Sequence, residues 1–337
     1  MKKIAITGGA GFVGSQLGYS LDRLGYKVLL IDNMSHGHLD NLIIDGKPFG
    51  TFICKDIRDQ DLSQTFKACD VVIHLAGISA LPVCQSRPQY ALDVNTSGTA
   101  NVLEASRLAN VKKVLFSSTS AVYENNSTSP FRESDLVCPD LIYSSSKWQA
   151  EQICLTYEKN YSLNVGICRF FNIYGPHQDF KRASPPFTSY LARELAANRV
   201  PTLFNKTDVK RDYIHVDDVI ALLIKMIEYA NPMHANIYNI CTGNGYSVPE
   251  IYEKFLDISG KRIEPKYADP TKFWESYKSL SESEYPLNSA RVEKEVYKES
   301  IGSNAKAKAD FGWMPKIALT EGLQSVYEFA LSNLDAQ

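Results

Sequence analysis

The sequence predicts an α/β fold, a doubly wound parallel sheet joined to a smaller α/β C-terminal lobe. Three observations carry that prediction. Short apolar runs alternate with amphipathic segments from the first residues to about Phe171, as parallel strands covered by helices on both faces require. The first apolar run ends in a turn with glycines at 8, 11 and 14, and this turn opens the first amphipathic segment. After Pro176 the alternation lapses, and a chain of 337 residues is longer than one core comfortably serves.

Residues 3–7 read as the first strand and 12–24 as the first helix. Small residues are needed where backbone approaches a pyrophosphate, and a helix N-terminus offers it free N–H groups. The second strand, 27–31, ends in Asp32, which lies 18 residues past Gly14. That is the place of the acid that holds an adenosine ribose. A carboxylate there repels a 2′-phosphate, so the cofactor expected is NAD and the sheet is of Rossmann type. Residues 52–55 form a strand leading to Asp56 and Ile57, 61–68 a short helix, and 70–77 a buried strand that runs into a small-residue turn. His74, at the end of that strand, reads as structural. A helix is expected over 90–109 with Asn95 inside it, then a strand over 113–117 that opens into hydroxyl-bearing residues 117–120. Ligands sit at the carboxyl ends of strands in open α/β sheets, so a hydroxyl here faces the nicotinamide.

Tyr143 and Lys147 follow, four residues apart on a helix that runs to 161. Side chains at this spacing share a helix face. A phenol titrates near pH ~10 and is a poor base at neutrality, but a neighbouring cation favours the phenolate. The pair is therefore a candidate for removing a hydroxyl proton. The spacing alone is common, and its weight comes from what flanks it.

Residues 165–171 form a strand leading into 172–176, and 177–186 read as a loop before a helix over 187–198. Asp217 or Asp218 is expected to cap a helix over 219–229. Residues 236–241 are strand-like, and Ser247 with Glu250 forms a capping-box pattern. Residues 260–300 lack apolar periodicity and read as extended surface segments, 311–315 as a helix stop, and 319–334 as the last helix. The expected division is an NAD-binding domain over 1–175, with 211–241 returning to it, and a substrate lobe over 176–210 and 242–337.

A net charge of −2 gives no reason to expect nucleic acid or an anionic membrane as partner. The seven cysteines are scattered without a C-x-x-C pair, so neither a disulfide framework nor a metal site is expected. No apolar run approaches the ~18 residues of a membrane span. The first residues carry no secretory pattern, and a cytoplasmic location is expected.

In order along the chain stand T-G-G-A-G-F-V-G at 7–14, D-N-M-S at 32–35, D-I at 56–57, H-L-A-G at 74–77 and S-S-T-S-A-V-Y at 117–123. There follow Y-S-S-S-K at 143–147, R-F-F-N-I-Y-G-P at 169–176, R-D-Y-I-H-V-D-D-V at 211–219, Y-N-I-C-T-G at 238–243 and F-G-W-M-P at 311–315. Together these resemble the extended short-chain dehydrogenase/reductase family in its nucleotide-sugar epimerase/dehydratase branch, of the UDP-glucose 4-epimerase kind, over nearly the whole chain.

The resemblance implies that Tyr143 is the base, that Lys147 lowers its pKa and holds the nicotinamide ribose, and that Thr119 bonds the sugar hydroxyl. It implies NAD contacts from Gly8, Gly11, Phe12, Val13, Asp32, Asn33, Ser35, Asp56, Ile57, Leu75, Ala76, Gly77 and Ser117. Asn172 and Arg211 would hold the nucleoside diphosphate, Arg211 through forked bonds to phosphate. A plain ion pair of Arg211 with Asp212 or Asp217 is the competing reading. Arg291 would be a second phosphate ligand, and Ser300 would wall the sugar C2 substituent, small enough to admit an N-acetyl group. The partners implied are a nucleotide-diphosphate sugar and a second copy of the chain, packed through helices near 90–109 and 145–160.

Departures from the family pattern set the reaction. Dehydratases of this family carry acidic residues just after the hydroxyl residue, where this chain has Ser120 and Ala121. Neither removes a carbon-bound proton, so epimerisation at C4 through a 4-keto sugar is expected and 4,6-elimination is not. A net-redox 4-dehydrogenase or reductase is the competing enzyme, and an NAD-binding regulator the competing non-enzyme. Glu124 also departs, standing where the family has glycine.

Overall fold

The computed structural model describes residues 1–334 apart from 45, 180, 181, 183, 184, 205, 206 and 283. Four of these fall in the expected loop 177–186 and lie outside the described residues. In chain order the strands that frame the site are β1 (Lys3–Thr7), β2 (Lys27–Asp32), β3 (Thr51–Cys54), β4 (Val71–His74) and β5 (Lys113–Thr119). Then come β6 (Val165–Phe170), β7 (Asn172–Tyr174), β8 (Arg211–His215), β9 (Asn236–Ile240) and β10 (Gly245–Tyr246). The helices are α1 (Phe12–Arg23), α2 (Gly98–Leu108), α3 (Ile142–Tyr161), α4 (Phe187–Ala196) and α5 (Val216–Glu228). They continue with α6 (Val248–Ser259), α7 (Ser289–Val296), α8 (Ala305–Phe311) and α9 (Leu319–Ser332).

Seven strands pair in the order β9-β6-β5-β4-β1-β2-β3, all parallel. The chain winds from β1 outward through β2 and β3, then returns to β4 and winds the other way. The reversal falls between β1 and β4, where Thr7 is in register with His74, and a crevice opens there at the strands' carboxyl ends. β4 and β5 are buried at every residue, as strands covered on both faces must be. Alternate residues feed two cores. Ile4, Ile6 and Leu30 pack with α1 and α5 on one face, and Ala5, Leu29 and Ile31 pack with α2 and α3 on the other.

A third core, built from Leu191, Leu195, Ile251, Phe255, Leu323 and Tyr174, gathers α4, α6 and α9. A small sheet joins it to the centre, with β8 parallel to β7 and antiparallel to β10. Trp313 Nε1 donates to the Asp218 carbonyl at 3.1 Å, which fastens the segment after α8 to α5.

The structure corrects four local expectations. The helix over 90–109 is broken by a π-helical turn, Asp93–Ser97, before α2 resumes. Asn95 sits in that turn and bonds Ile78 through both its amide groups, at 2.8 and 2.9 Å, and Ser146 Oγ at 3.0 Å. Neither Asp217 nor Asp218 caps α5. The cap is His215, whose ring accepts from the Asp217 amide at 3.3 Å, while the Asp218 carboxylate accepts from the amides of Lys316 and Ile317 at 2.8 and 3.0 Å. Residues 260–300 are not all extended, because short helices and α7 fold there around Trp274, Leu280 and Val292. The strand expected over 165–171 ends at Phe170, and β7 begins two residues on in the small sheet. The capping box at Ser247 and Glu250 forms as expected.

Candidate active site

At the cofactor end of the crevice the glycine turn leaves no room for side chains of its own. Gly8 has φ +72°, and a Cβ there would lie 2.8 Å from the Ala76 amide; one on Gly14 would lie 2.1 Å from the Gly8 carbonyl. The turn therefore brings the start of α1 against β1 with its first amides free toward the crevice. Asp32 stands at the end of β2, where its carboxylate accepts from the Ala10 amide at 3.1 Å and the Met34 amide at 2.9 Å. Gly8, Gly11, Asp32, Asn33, Ser35, Asp56, Ile57, Leu75, Ala76 and Gly77 all line this end. Hydrogen bonds from Arg58 hold the Asp56 carboxyl well below the usual range, with Asn33 Nδ2 adding a bond at 2.7 Å. The glycine cradle, the helix start and a ribose-side carboxylate fit a dinucleotide without a 2′-phosphate.

The crevice continues into a cavity of about 580 Å³ lined by Phe12, Val13, Ser117, Thr119, Tyr143 and Lys147, and beyond them by Asn172, Arg211 and Ser300. That volume suits a small-molecule site, which typically encloses roughly 300–1,000 Å³. Residues on β5, α3, β7 and β8 thus meet in one place. Of the site residues predicted from sequence, only Arg291 is not brought to the crevice.

Tyr143 is half-buried in the first turn of α3. Burial pushes its phenol up to about 12, and a hydrogen bond with Thr119 pulls the other way. Thr119 Oγ1 accepts from the Ala121 amide at 3.1 Å, which leaves its own proton to donate. Lys147 Nζ donates to the Ser117 carbonyl at 2.8 Å, and burial brings its ammonium down to about 8. A Cβ on Gly77 would lie 3.3 Å from that nitrogen, so the small-residue turn after β4 makes room for the lysine. His74 is structural, bonded to Thr7 Oγ1 at 2.8 Å and Thr99 Oγ1 at 3.0 Å, and burial depresses its pKa to about 3.

Arg211 pairs with neither Asp212 nor Asp217. Its Nη2 donates to the carbonyls of Glu295 and Val296 at 2.9 and 3.3 Å, and its Nη1 is buried without a hydrogen-bond partner. Asp212 instead accepts from the amides of Thr242 and Gly243 at 2.9 and 2.8 Å, and from the Thr242 hydroxyl at 2.7 Å. Asn172 Nδ2 donates to the Asp212 carbonyl at 2.9 Å. Arg291 belongs to another cluster, with Nη2 2.6 Å from Glu124 Oε2. The helix that carries it turns its guanidinium toward the loop before α3. Lys298, Glu295, Gln178 and His36 line the cavity and were not singled out in the sequence. Lys298 and Glu295 fall in the stretch without periodicity, so nothing local marks their direction.

The comparisons agree with this geometry. The model of the NAD dependent epimerase/dehydratase family matches residues 4–241. A putative UDP-glucose 4-epimerase of Methanocaldococcus jannaschii is 31% identical, over 98% of this chain and 99% of that protein. The crystal structure of the Thermotoga maritima UDP-glucose 4-epimerase with UDP-glucose superposes with a TM-score of 0.86 at 28% identity, covering 98% of this chain and 99% of that one. The UDP-N-acetylglucosamine 4-epimerase of Methanobrevibacter ruminantium, in complex with UDP-N-acetylmuramic acid, gives 0.85 at 26% identity, covering 98% of this chain and 99% of that one.

Proposed function

The chain belongs to the NAD-dependent epimerase/dehydratase family, and we propose that it inverts C4 of a UDP-hexose or UDP-N-acetylhexosamine through a 4-keto sugar. The observation that carries this reading is the lining of the cavity around Thr119. Tyr143 stands beside Thr119 and Lys147 lines the same cavity, with Ser120 and Ala121 next along the wall. A hydroxyl proton can be taken there, but neither Ser120 nor Ala121 can take one from carbon.

NAD, when bound, would supply the hydride acceptor for C4 and, once reduced, the hydride donor for the 4-keto sugar. Gly8, Gly11, Phe12 and Val13 would cradle its pyrophosphate, Asp32, Asn33 and Ser35 the adenosine ribose, and Asp56, Ile57, Leu75 and Ala76 the adenine cleft. Gly77, Ser117 and Lys147 would hold the nicotinamide half. Tyr143 Oη takes the O4 proton and later gives it back, so no net charge or electron leaves the site. The positive charge of Lys147 and of the oxidised nicotinamide favours the phenolate against the burial that opposes it. Thr119 donates to the sugar oxygen and holds O4 in line with Tyr143. Arg211 offers its unpartnered Nη1 to the diphosphate, and Asn172 flanks it. Residues 1–175 with 211–241 form the cofactor-binding unit in this reading, and 176–210 with 242–337 the substrate lobe.

The test is incubation with UDP-glucose and UDP-N-acetylglucosamine, following product stereochemistry by NMR. The C4 epimers should form without accumulation of NADH. Tyr143→Phe should lower kcat by about 10²–10⁴-fold, the range of a general base. Stoichiometric NADH, or release of a 4-keto-6-deoxy product, overturns the reading.

A further inference from the structure

Glu124 follows the β5 motif at the position where the family pattern has glycine, and its side chain is wholly buried. Its Oε1 accepts from the amides of Asp140 and Leu141, the second at 2.8 Å. Leu141 is the N-cap of α3 and supplies no side-chain cap. The Glu124 carboxylate therefore holds, from a distant part of the chain, the two residues that lead into the helix of Tyr143 and Lys147.

Its other oxygen reaches Arg291 on α7 at 2.6 Å. Arg291 lies 3.7 Å from Asp140 and 3.6 Å from Glu295, and Glu295 pairs with Lys298 at 3.1 Å. Glu295 and Lys298 line the substrate cavity, and the last carbonyls of α7 receive Arg211. Charges of alternating sign thus run from the start of α3 to the cavity wall, and all of them except the exposed Asp140 are largely buried. Breaking a buried pair strands an uncompensated charge, so α7 and the start of α3 keep a fixed relation.

We propose that Glu124 and Arg291 are positioning residues, through which the placement of Tyr143 depends on the seating of α7 beside the substrate. This rests on the reading of Tyr143 as the base. Tyr143 is two residues past the amide that Glu124 holds, and a small misplacement of a catalytic group is enough to slow chemistry severely.

The experiment compares the full chain with bound NAD as wild type, Glu124→Gln, Arg291→Met and the double variant. The double variant removes both charges together, leaves no buried charge unpaired, and keeps the comparison open if either single variant folds poorly. Two readouts are taken, steady-state kinetics and amide hydrogen exchange over residues 138–146. Arg291→Met should lower kcat on the order of 10- to 100-fold with KM much less affected. The double variant should lose no more than the worse single one. Exchange over 138–146 should quicken in each variant, and UDP should slow it in the wild type but not in Arg291→Met. A folded Arg291→Met with wild-type kcat and unchanged exchange overturns the proposal, as do additive losses. Failure of the catalytic reading looks different. The wild type would then epimerise nothing, while the exchange coupling between UDP and 138–146 would persist.

Discussion

At the scale of the residue, Lys147 has a measurable cost. Burial holds its folded pKa at about 8 against 10.5 when free, so the unfolded chain binds the extra proton between those values. Stability therefore rises with pH across that window, and the penalty is fully present below it. Lys113, buried against the carbonyls at the end of α5, is depressed to about 8 and acts the same way. Lys147→Met should remove its own contribution and leave those of the other buried lysines. Its urea midpoint should climb less between pH 8 and pH 10 than the wild type's, and an equal climb would show that Lys147 does not titrate there. Ser300, buried beside Arg211 in the cavity, sets the second expectation. Ser300→Tyr should abolish turnover of UDP-N-acetylglucosamine and spare UDP-glucose; equal loss on both removes Ser300 from the C2 pocket. The positions of the glycines, Asp32, Thr119, Tyr143 and Lys147 were legible in the sequence because each lies at a strand end or in the first two turns of a helix, where the local pattern fixes the place. Arg291 was misread because its role depends on which way α7 faces. Its partner Glu124 lies in another part of the chain, and only packing joins the two.

At the scale of the element, α3 is held from three sides. Glu124 fixes its approach, Lys147 reaches β5, and Asn95 ties Ser146 to the turn after β4. The π-helical turn exists to deliver that asparagine. Its side chain completes the amide and carbonyl of Ile78, and such turns are common at functional sites. Asn95→Ala strands the buried Ile78 amide and leaves the Ile78 carbonyl only the weak Cys84 thiol, and should destabilise the protein by about 3 kcal/mol, measured by guanidinium denaturation. A loss under half of that would mean water replaces the amide. The helix over 90–109 was legible as a helix, but its interruption was not. Asn95 reads as an ordinary helical residue until Ile78 and Ser146 are seen beside it. The His215 cap was hidden similarly, because Asp217 and Asp218 are better capping residues by type. Asp218 is claimed instead by the amides of Lys316 and Ile317, almost a hundred residues on.

At the scale of the molecule, that carboxylate binds the segment after α8 to the sheet's flank, while α9 packs in the third core with α4 and α6. The two halves should then unfold as one. Asp218→Ala should lower the midpoint of a single calorimetric transition, through loss of about 2–4 kcal/mol from two stranded amides; two resolved transitions in the wild type would contradict the coupling. The parallel sheet was legible from apolar runs alone, and the third core much less so, since α4, α6 and α9 lie far apart in the chain. The order of the sheet has a further consequence for synthesis. β9 closes the edge of the sheet beside β6, yet it is made only after the chain has built α4 and begun the lobe. During translation β6 therefore emerges with one edge bare. That edge stays without its partner strand until residue 240 has cleared the ribosome.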